Sequence, residues 1–352
     1  VQADLPEYQV EYARVLSNLG ILQKDTGELD EARELLTASI SLLETLTKNH
    51  PEDRDYSQQL ARSYINLGSV MRLQNALQKG QMPYRRAIDQ LKKLCERYPT
   101  FAEYQNELAL AYNNLGNLLS SGTNYAEAMR QHQKAEEIFQ RLVAEHPRIP
   151  NYRQQLANTC NSLAVVNYRL KQPEKMREAW SKGLSQLESL VEQSPQMPDY
   201  QGDLAMVRFN LANLELKDEH PEEAIEHLKA ALTPLVNALT ANPNHPDFTR
   251  VAQGVCRKLV NAYSMQDQSH LALAQVEEFL NPPEPQPIQL WLAAVTLQEI
   301  HNTNPTSSEP SPQTKQLAQR ILEQLNNLPN GNEDFRSKPA FEGLRELVKE
   351  PE

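Results

Sequence analysis

The stretch EYARVLSNLG, residues 11–20, returns as QLARSYINLG at 59–68 and ELALAYNNLG at 107–116, then more loosely as QLANTCNSLA at 155–164 and DLAMVRFNLA at 203–212. Each restatement lies 48 residues after the last, and an independent column keeps the same interval: Tyr8, Tyr56, Tyr104, Tyr152, Tyr200 and Phe248. A chain that restates itself at a fixed period of tens of residues builds one supersecondary unit repeatedly, each unit burying its apolar face against the next.

Each unit reads as two helices. Tyr8, Tyr12, Leu16 and Leu19 recur at spacings of four, four and three, an apolar stripe on one face of a first helix. After a turn at Gly27, Leu36, Ile40, Leu43 and Leu46 carry a second stripe until Pro51 ends it. Proline returns at Pro99, Pro147, Pro195 and Pro243, and Pro173 and Pro221 stand where second helices should begin, the position that loses nothing by lacking an N–H.

Composition bounds the function. The 352 residues are 39% apolar and 23% charged, enough for a large core spread along a line of repeats. No run of about eighteen apolar residues is present and the VQADLPEY start has no signal-peptide pattern, so a soluble, cytoplasmic chain without membrane contact is expected. Residues 1–6 align with the inter-unit linker NHPEDR at 49–54, which reads as a fragment cut from a longer protein. Three scattered cysteines, Cys95, Cys160 and Cys256, give neither a disulfide framework nor a metal pattern. A net charge of −11 argues against a nucleic-acid partner, whose phosphates call for clustered Lys and Arg.

The pattern Tyr112-x-x-Leu115-Gly116 with Ala128 twelve residues on, repeated as Leu16, Leu19, Gly20 and Ala32 and as Leu211, Ala212 and Ala224, resembles the tetratricopeptide repeat over residues 3–280. The resemblance implies an all-α, right-handed α-α superhelix of long helical hairpins, with small residues where paired helices cross. The family's usual unit is shorter by fourteen residues; about seven lengthen each helix, nearly two turns, so every stripe stays on its face. The expected organisation is an array of about six units over 1–280, a Pro-rich linker at 281–287 and a helical cap over 288–352. In the second unit Gly80 and Pro83 predict a late helix start near Met82, and Pro234 predicts a kink in the fifth. The sixth unit keeps Phe248 and Leu259 but has Gln253 and Val260 at the small positions, as expected of a degenerating end.

The closing segment EDFRSKPAFEGLRELV, with Phe335 to Val348, is similar to the C-terminal regions of certain large bacterial serine/threonine protein kinases, where long repeats follow the catalytic domain. That implies a non-catalytic regulatory part, since no Gly-rich loop, His-Arg-Asp or Asp-Phe-Gly occurs here. Nothing else in the chain carries chemistry. Eleven glycines form no phosphate-binding loop, and no cofactor is expected. His50 and His146 share one place at the end of second helices, and Cys160 takes the stripe position of Tyr64 and Tyr112, a core role rather than a nucleophile's. The PPEPQP stretch reads as a spacer.

One column asks for a function. Asn18, Asn66, Asn114 and Asn210, with Ser162 in the gap, hold one place in successive first helices although Asn is a poor helix-interior residue. In the resembled family this place lies on the inner face, where stacked amides would line a concave groove and offer a donor and an acceptor each to an extended backbone. Asn113, Asn117, Asn161, Asn213 and Asn261 would thicken that lining; the competing reading gives each Asn a hydrogen bond to a neighbouring helix. Arg14 and Arg62 stand one turn before Asn18 and Asn66 and could anchor an anionic end; the competing reading is a solvated or intramolecularly paired arginine. The chain is therefore expected to be a non-catalytic scaffold binding a peptide or protein segment. The alternative is a purely structural array or homo-oligomer whose groove is filled by its own C-terminal segment or a second copy.

Overall fold

The computed structural model describes residues 5–282, 284–303, 310–328 and 337–348. Residues 1–4, Pro283 of the linker, the middle of the NTNPTSSEPSP connector, and Phe335 and Arg336 of the kinase-like segment lie outside the described residues.

Every regular element among the described residues is a helix, as the repeat pattern requires. The first helices are α1 (Pro6–Thr26), α3 (Arg54–Leu73), α5 (Ala102–Ser121), α7 (Pro150–Arg169), α9 (Pro198–Lys217) and α11 (Pro246–Met265). Their partners are α2 (Leu29–Asn49), α4 (Leu77–Arg97), α6 (Tyr125–Glu145), α8 (Pro173–Gln193), α10 (Pro221–Ala241) and the shorter α12 (Ser269–Leu280). At 20 or 21 residues the full-length helices run roughly 30 Å. Pro173 and Pro221 do open second helices.

The turn inside each hairpin is closed by one device. The Glu28 N–H reaches back to the Gln23 carbonyl (2.8 Å), Ala76 to Met71 (2.8 Å) and Asn124 to Leu119 (2.9 Å). Such six-to-one closure needs a left-handed residue between, and Gly27 supplies it at φ 92°. Its equivalents Asn75, Thr123, Lys171, Glu219 and Asp267 adopt φ of 56–64° without being glycine. Packing of the two helices thus overrides a local cost of about 1 kcal/mol at each.

Two expectations about proline are corrected or refined. The helix α4 begins at Leu77, not near Met82: Gly80 is buried in its first turns and packs closely, since a Cβ there would lie 3.2 Å from Met71 Cβ. Pro83 and Pro234 are buried inside α4 and α10, which run through them although each ring leaves one carbonyl of the preceding turn without its N–H.

The chain divides into two compact units, residues 1–186 and 187–352. In the first, each hairpin packs on the next, α2 on α3, α4 on α5 and α6 on α7. Small residues set the approach within a hairpin. A Cβ on Gly20 would lie 2.8 Å from Leu36 Cγ, on Gly68 2.7 Å from the Tyr84 ring, and on Gly116 2.6 Å from His132 Cε1. Leu36, Tyr84 and His132 are themselves 48 residues apart, so one column of side chains fills the space that one column of glycines leaves. Cys160 is buried in this core, as its column requires.

In the second unit α9 pairs with α10 and α10 packs on α11. The degenerate sixth hairpin departs at its small position: Gln253 is exposed, whereas the corresponding Ala205 of α9 is buried. Helix α13 (Pro287–Thr303) packs on α11 and α12, and α14 (Pro312–Asn326) and α15 (Pro339–Leu347) lie against it. Ile288, the run from Leu290 to Leu297 and Ile300 are buried, so α13 is apolar on every side as a covered helix must be. None of the described helices is long and apolar enough to cross a membrane.

Candidate functional site

Helices α3 and α5 are each held between two neighbours, the preceding second helix and their own partner. Tyr56, Leu60, Ser63, Leu67 and Val70 form the α3 face turned to α2, with Ser63 Oγ 3.2 Å from Ser39 Oγ. Ala61, Tyr64 and Gly68 turn toward α4. The direction opposite both is left to Asp55, Arg62 and Asn66, at spacings of seven and four. Within the first unit α1 touches α3, α3 touches α5 and α5 touches α7, while α2 and α4, or α4 and α6, have at most marginal contact. A two-layer stack whose first layer is the more closely spaced curves toward that layer, so this is the concave face of the unit. The splay of the other layer shows as a cleft of about 500 Å³ between α2 and α4, floored by the start of α3.

The asparagine column lies on this face. Asn18 is exposed and Asn66 and Asn114 are half-buried; in the second unit Asn210 is half-buried on α9. None of the four amides hydrogen-bonds another described residue, which is the arrangement a docking surface needs and a helix-tying Asn would not show. Asn117 is likewise half-buried without such a bond.

Other members of the expected lining belong to the scaffold. The buried Asn113 accepts through Oδ1 from His132 Nδ1 at 2.7 Å, and Asn161 accepts from Trp180 Nε1 at 3.0 Å. Both sit one residue before the ladder, where a helix turns its side chains toward its partner. The Asn213 amide donates to the Phe209 carbonyl of its own helix at 2.9 Å.

The two arginines of the expected anion anchor are both ion-paired. Arg14 bonds Glu11 (2.7 Å) and Asp55 of α3 (3.3 Å). Arg62 reaches α5, with Nε 2.7 Å from Glu107 Oε1 and Nη2 2.7 Å from Glu103 Oε1. Gln58 Nε2 donates to the same Glu107 oxygen at 2.8 Å. Both arginines therefore clamp neighbouring first helices together, and an incoming carboxylate would have to displace a resident one. Sequence reading allowed intramolecular pairing but left the partners unnamed, although their signal is regular: Arg14 precedes Asp55 by 41 residues, as Arg62 precedes Glu103.

Burial raises the carboxyl of Glu107, with Arg62 and Gln58 opposing, and its Oε2 has no partner. Arg62→Ala should thus cost about 1–3 kcal/mol at neutral pH by leaving that carboxylate uncompensated. Because the folded-state pKa lies above the unfolded one, the penalty applies above the folded pKa and disappears as pH falls through it. Urea midpoints of Arg62→Ala and parent should converge on acidification; a constant gap would remove Glu107 from the account.

The three thiols are shielded rather than activated. Burial pushes the thiols of Cys160 and Cys256 up to about 12 and that of Cys95 to about 11, the reverse of activation. Among the described residues no group of His, Cys, Asp and Glu could hold a metal ion. His50 and His146 end α2 and α6, where their rings meet Tyr56 and Tyr152 edge-on with centroids 6.0 Å apart.

A tetratricopeptide-repeat family model matches residues 108–148, which take in most of α5 and all of α6. No curated protein matches the chain in sequence. Among solved structures, BtubC (BKLC) from P. vanneervenii superposes with a TM-score of 0.50 at 16% identity, covering 81% of this chain and 94% of its own. Nro1, a hypoxic regulator of sterol synthesis described as a nuclear import adaptor, superposes with a TM-score of 0.56 at 12% identity, covering 88% and 92%. At such identities the likeness is one of fold. Repeated helical hairpins, a family match centred on the third of them and these superpositions together make the chain a tetratricopeptide-like repeat array.

Proposed function

We propose that this chain is a non-catalytic scaffold that binds an extended protein segment along the concave face of its first helices, with Asn66 and Asn114 at the centre of the contact. Helical-repeat proteins of this type generally mediate protein–protein interaction. The observation that carries the finer reading is the ladder of amides at a fixed interval, half-buried and without hydrogen-bond partners among the described residues. Such amides can take one donor and one acceptor each from an extended backbone. The clamp sets the charge of the partner. Arg14 and Arg62 are outnumbered by Glu11, Asp55, Glu103 and Glu107, so the face favours a neutral or basic segment over an anionic end.

Peptides selected by display on the immobilised chain provide the test. Asn66→Ala/Asn114→Ala should weaken them tenfold or more, about 1.4 kcal/mol per factor of ten, without lowering the thermal midpoint. Selected peptides that bind parent and double variant equally would defeat the groove reading. Their binding with full copy-to-copy competition in sedimentation would favour the self-occupied array instead.

The setting we propose is the recruitment part of a larger serine/threonine-kinase-like protein, supported by the long repeat unit and the closing helix around Phe341 and Leu344, both buried. An antibody against the array should detect, in native extract, a protein longer than these 352 residues that phosphorylates Ser or Thr. A kinase-free product would refute that setting and leave the groove reading untouched.

A further inference from the structure

Leu5, Tyr8, Tyr12, Val15, Leu19 and Leu22 of α1 are all large, apolar and 44–59% exposed. Their spacings of three and four place them on a single face, so they form one stripe along nearly the whole helix rather than scattered surface residues. Among the described residues nothing covers it.

The same columns are covered in the later hairpins of the first unit. Tyr56, Leu60, Ser63, Leu67 and Val70 stand 48 residues after the α1 stripe from Tyr8 onward, and each is buried. What buries them is the second helix of the hairpin before: α2 packs on α3, Ser39 meets Ser63, and His50 at the end of α2 meets Tyr56. The contact recurs where Tyr98 meets Tyr104 with ring centroids 6.1 Å apart and His146 meets Tyr152. A further column agrees. Asp55 and Glu103 each take the arginine of the preceding first helix, and Glu7 of α1 stands in their column, exposed.

We propose that the exposed face of α1 is a docking surface for an amphipathic helix of this chain's own second-helix type. The interface is continuous with the one already formed between hairpins: the same face of the same helix, with the same aromatic and acidic residues in register. The partner helix is about 21 residues long, as α2 is. It carries aliphatic side chains on one face at intervals of three and four and a His or Tyr at its C-terminal end to lie against Tyr8. A second copy of the chain supplies no such helix through the first unit, because α2, α4 and α6 are each packed between two first helices.

The probe is a fluorescein-labelled, lactam-stapled peptide of residues 29–53, which holds α2 and its terminal His50. It should bind the full chain saturably. Tyr12→Lys/Leu19→Lys should weaken binding at least tenfold; both side chains are exposed, so the variant folds with unchanged circular dichroism. A peptide with Leu43→Lys and Leu46→Lys should fail in the same way, which separates face-specific docking from general stickiness. Asn66→Ala/Asn114→Ala should leave this binding unchanged, so failure here and failure of the groove reading are distinguishable. The proposal is overturned if the peptide does not bind, or if it binds the Lys variant as well as the parent. It is also overturned if sedimentation shows parent dimers that the Lys variant abolishes and the peptide cannot dissociate, since a second copy would then own the stripe.

Discussion

Gly116→Leu is expected to destabilise the first unit by about 3 kcal/mol, the upper part of the range for overpacking a close-packed site. The cause is local and specific. A Cβ at residue 116 would lie 2.6 Å from His132 Cε1 and 2.7 Å from both ring nitrogens, and the ring is wholly buried in a close-packed interior. Asn114→Ala, two residues away, should cost little, because its half-buried amide bonds no other described residue. Asn113→Ala lies between them in kind, since it strips a buried imidazole of its 2.7 Å partner. Repeat arrays do not always unfold in one step, so hydrogen exchange within α5 and α6 is a better readout than a single melting temperature. If Asn114→Ala loosens those helices as much as Gly116→Leu does, Asn114 is a structural residue and the groove loses its centre.

Acidification should expose the second large effect. His132 is fully buried, bonded through Nδ1 to Asn113 Oδ1, with Nε2 left without a partner, and burial lowers its pKa to about 4 from an ordinary 6.5. The sign follows from which state binds the proton. Between those two values the unfolded imidazole is protonated and the folded one is not, so stability falls as pH falls, by about 3 kcal/mol in total on the scale of 1.36 kcal/mol per unit. Glu107 works in the opposite direction, its burial favouring the protonated form, so the parent's profile mixes both. Asn113→Ser/His132→Leu isolates the imidazole. It installs the pair that the first hairpin already carries as Ser17 and Leu36, with Leu36 against Gly20 as His132 lies against Gly116. Urea midpoints at pH 7, 5.5 and 4.5 should show the variant gaining on the parent as pH falls. A pH-independent difference would mean that His132 titrates near its ordinary value and that the site admits water.

First helix, turn, second helix and the next proline could all be read from the letters, because each follows from local causes. A 3.6-residue period marks a helix, a ring without an N–H starts or stops one, and a 48-residue recurrence says that one solution is used repeatedly. Local reading failed where burial outweighs propensity. Gly80 and Pro83 look like helix breakers, yet α4 includes both, since the hairpin interface rewards a small residue there and holds the backbone in place around the ring. Thr123 and Lys171 are poor residues for positive φ, yet the two helices they join fix the turn for them.

For the site, the sequence determined a column and the tertiary structure determined its meaning. That Asn18, Asn66 and Asn114 share a helix face follows from their spacing alone. That their amides are left unbonded on the concave side, while Asn113 and Asn161 one residue earlier hold the rings of His132 and Trp180, depends on where the partner helix lies. One residue is 100° of helical rotation, enough to carry a side chain from the concave face into the core. The fate of Arg14 and Arg62 was decided the same way. Their carboxylate partners are about forty residues distant in sequence and one helix away in space, a proximity that stacking creates and that no single helix contains. The period is written in the chain, but which neighbour each residue meets is a property of the stack, because contacts between hairpins exist only after the hairpins have packed.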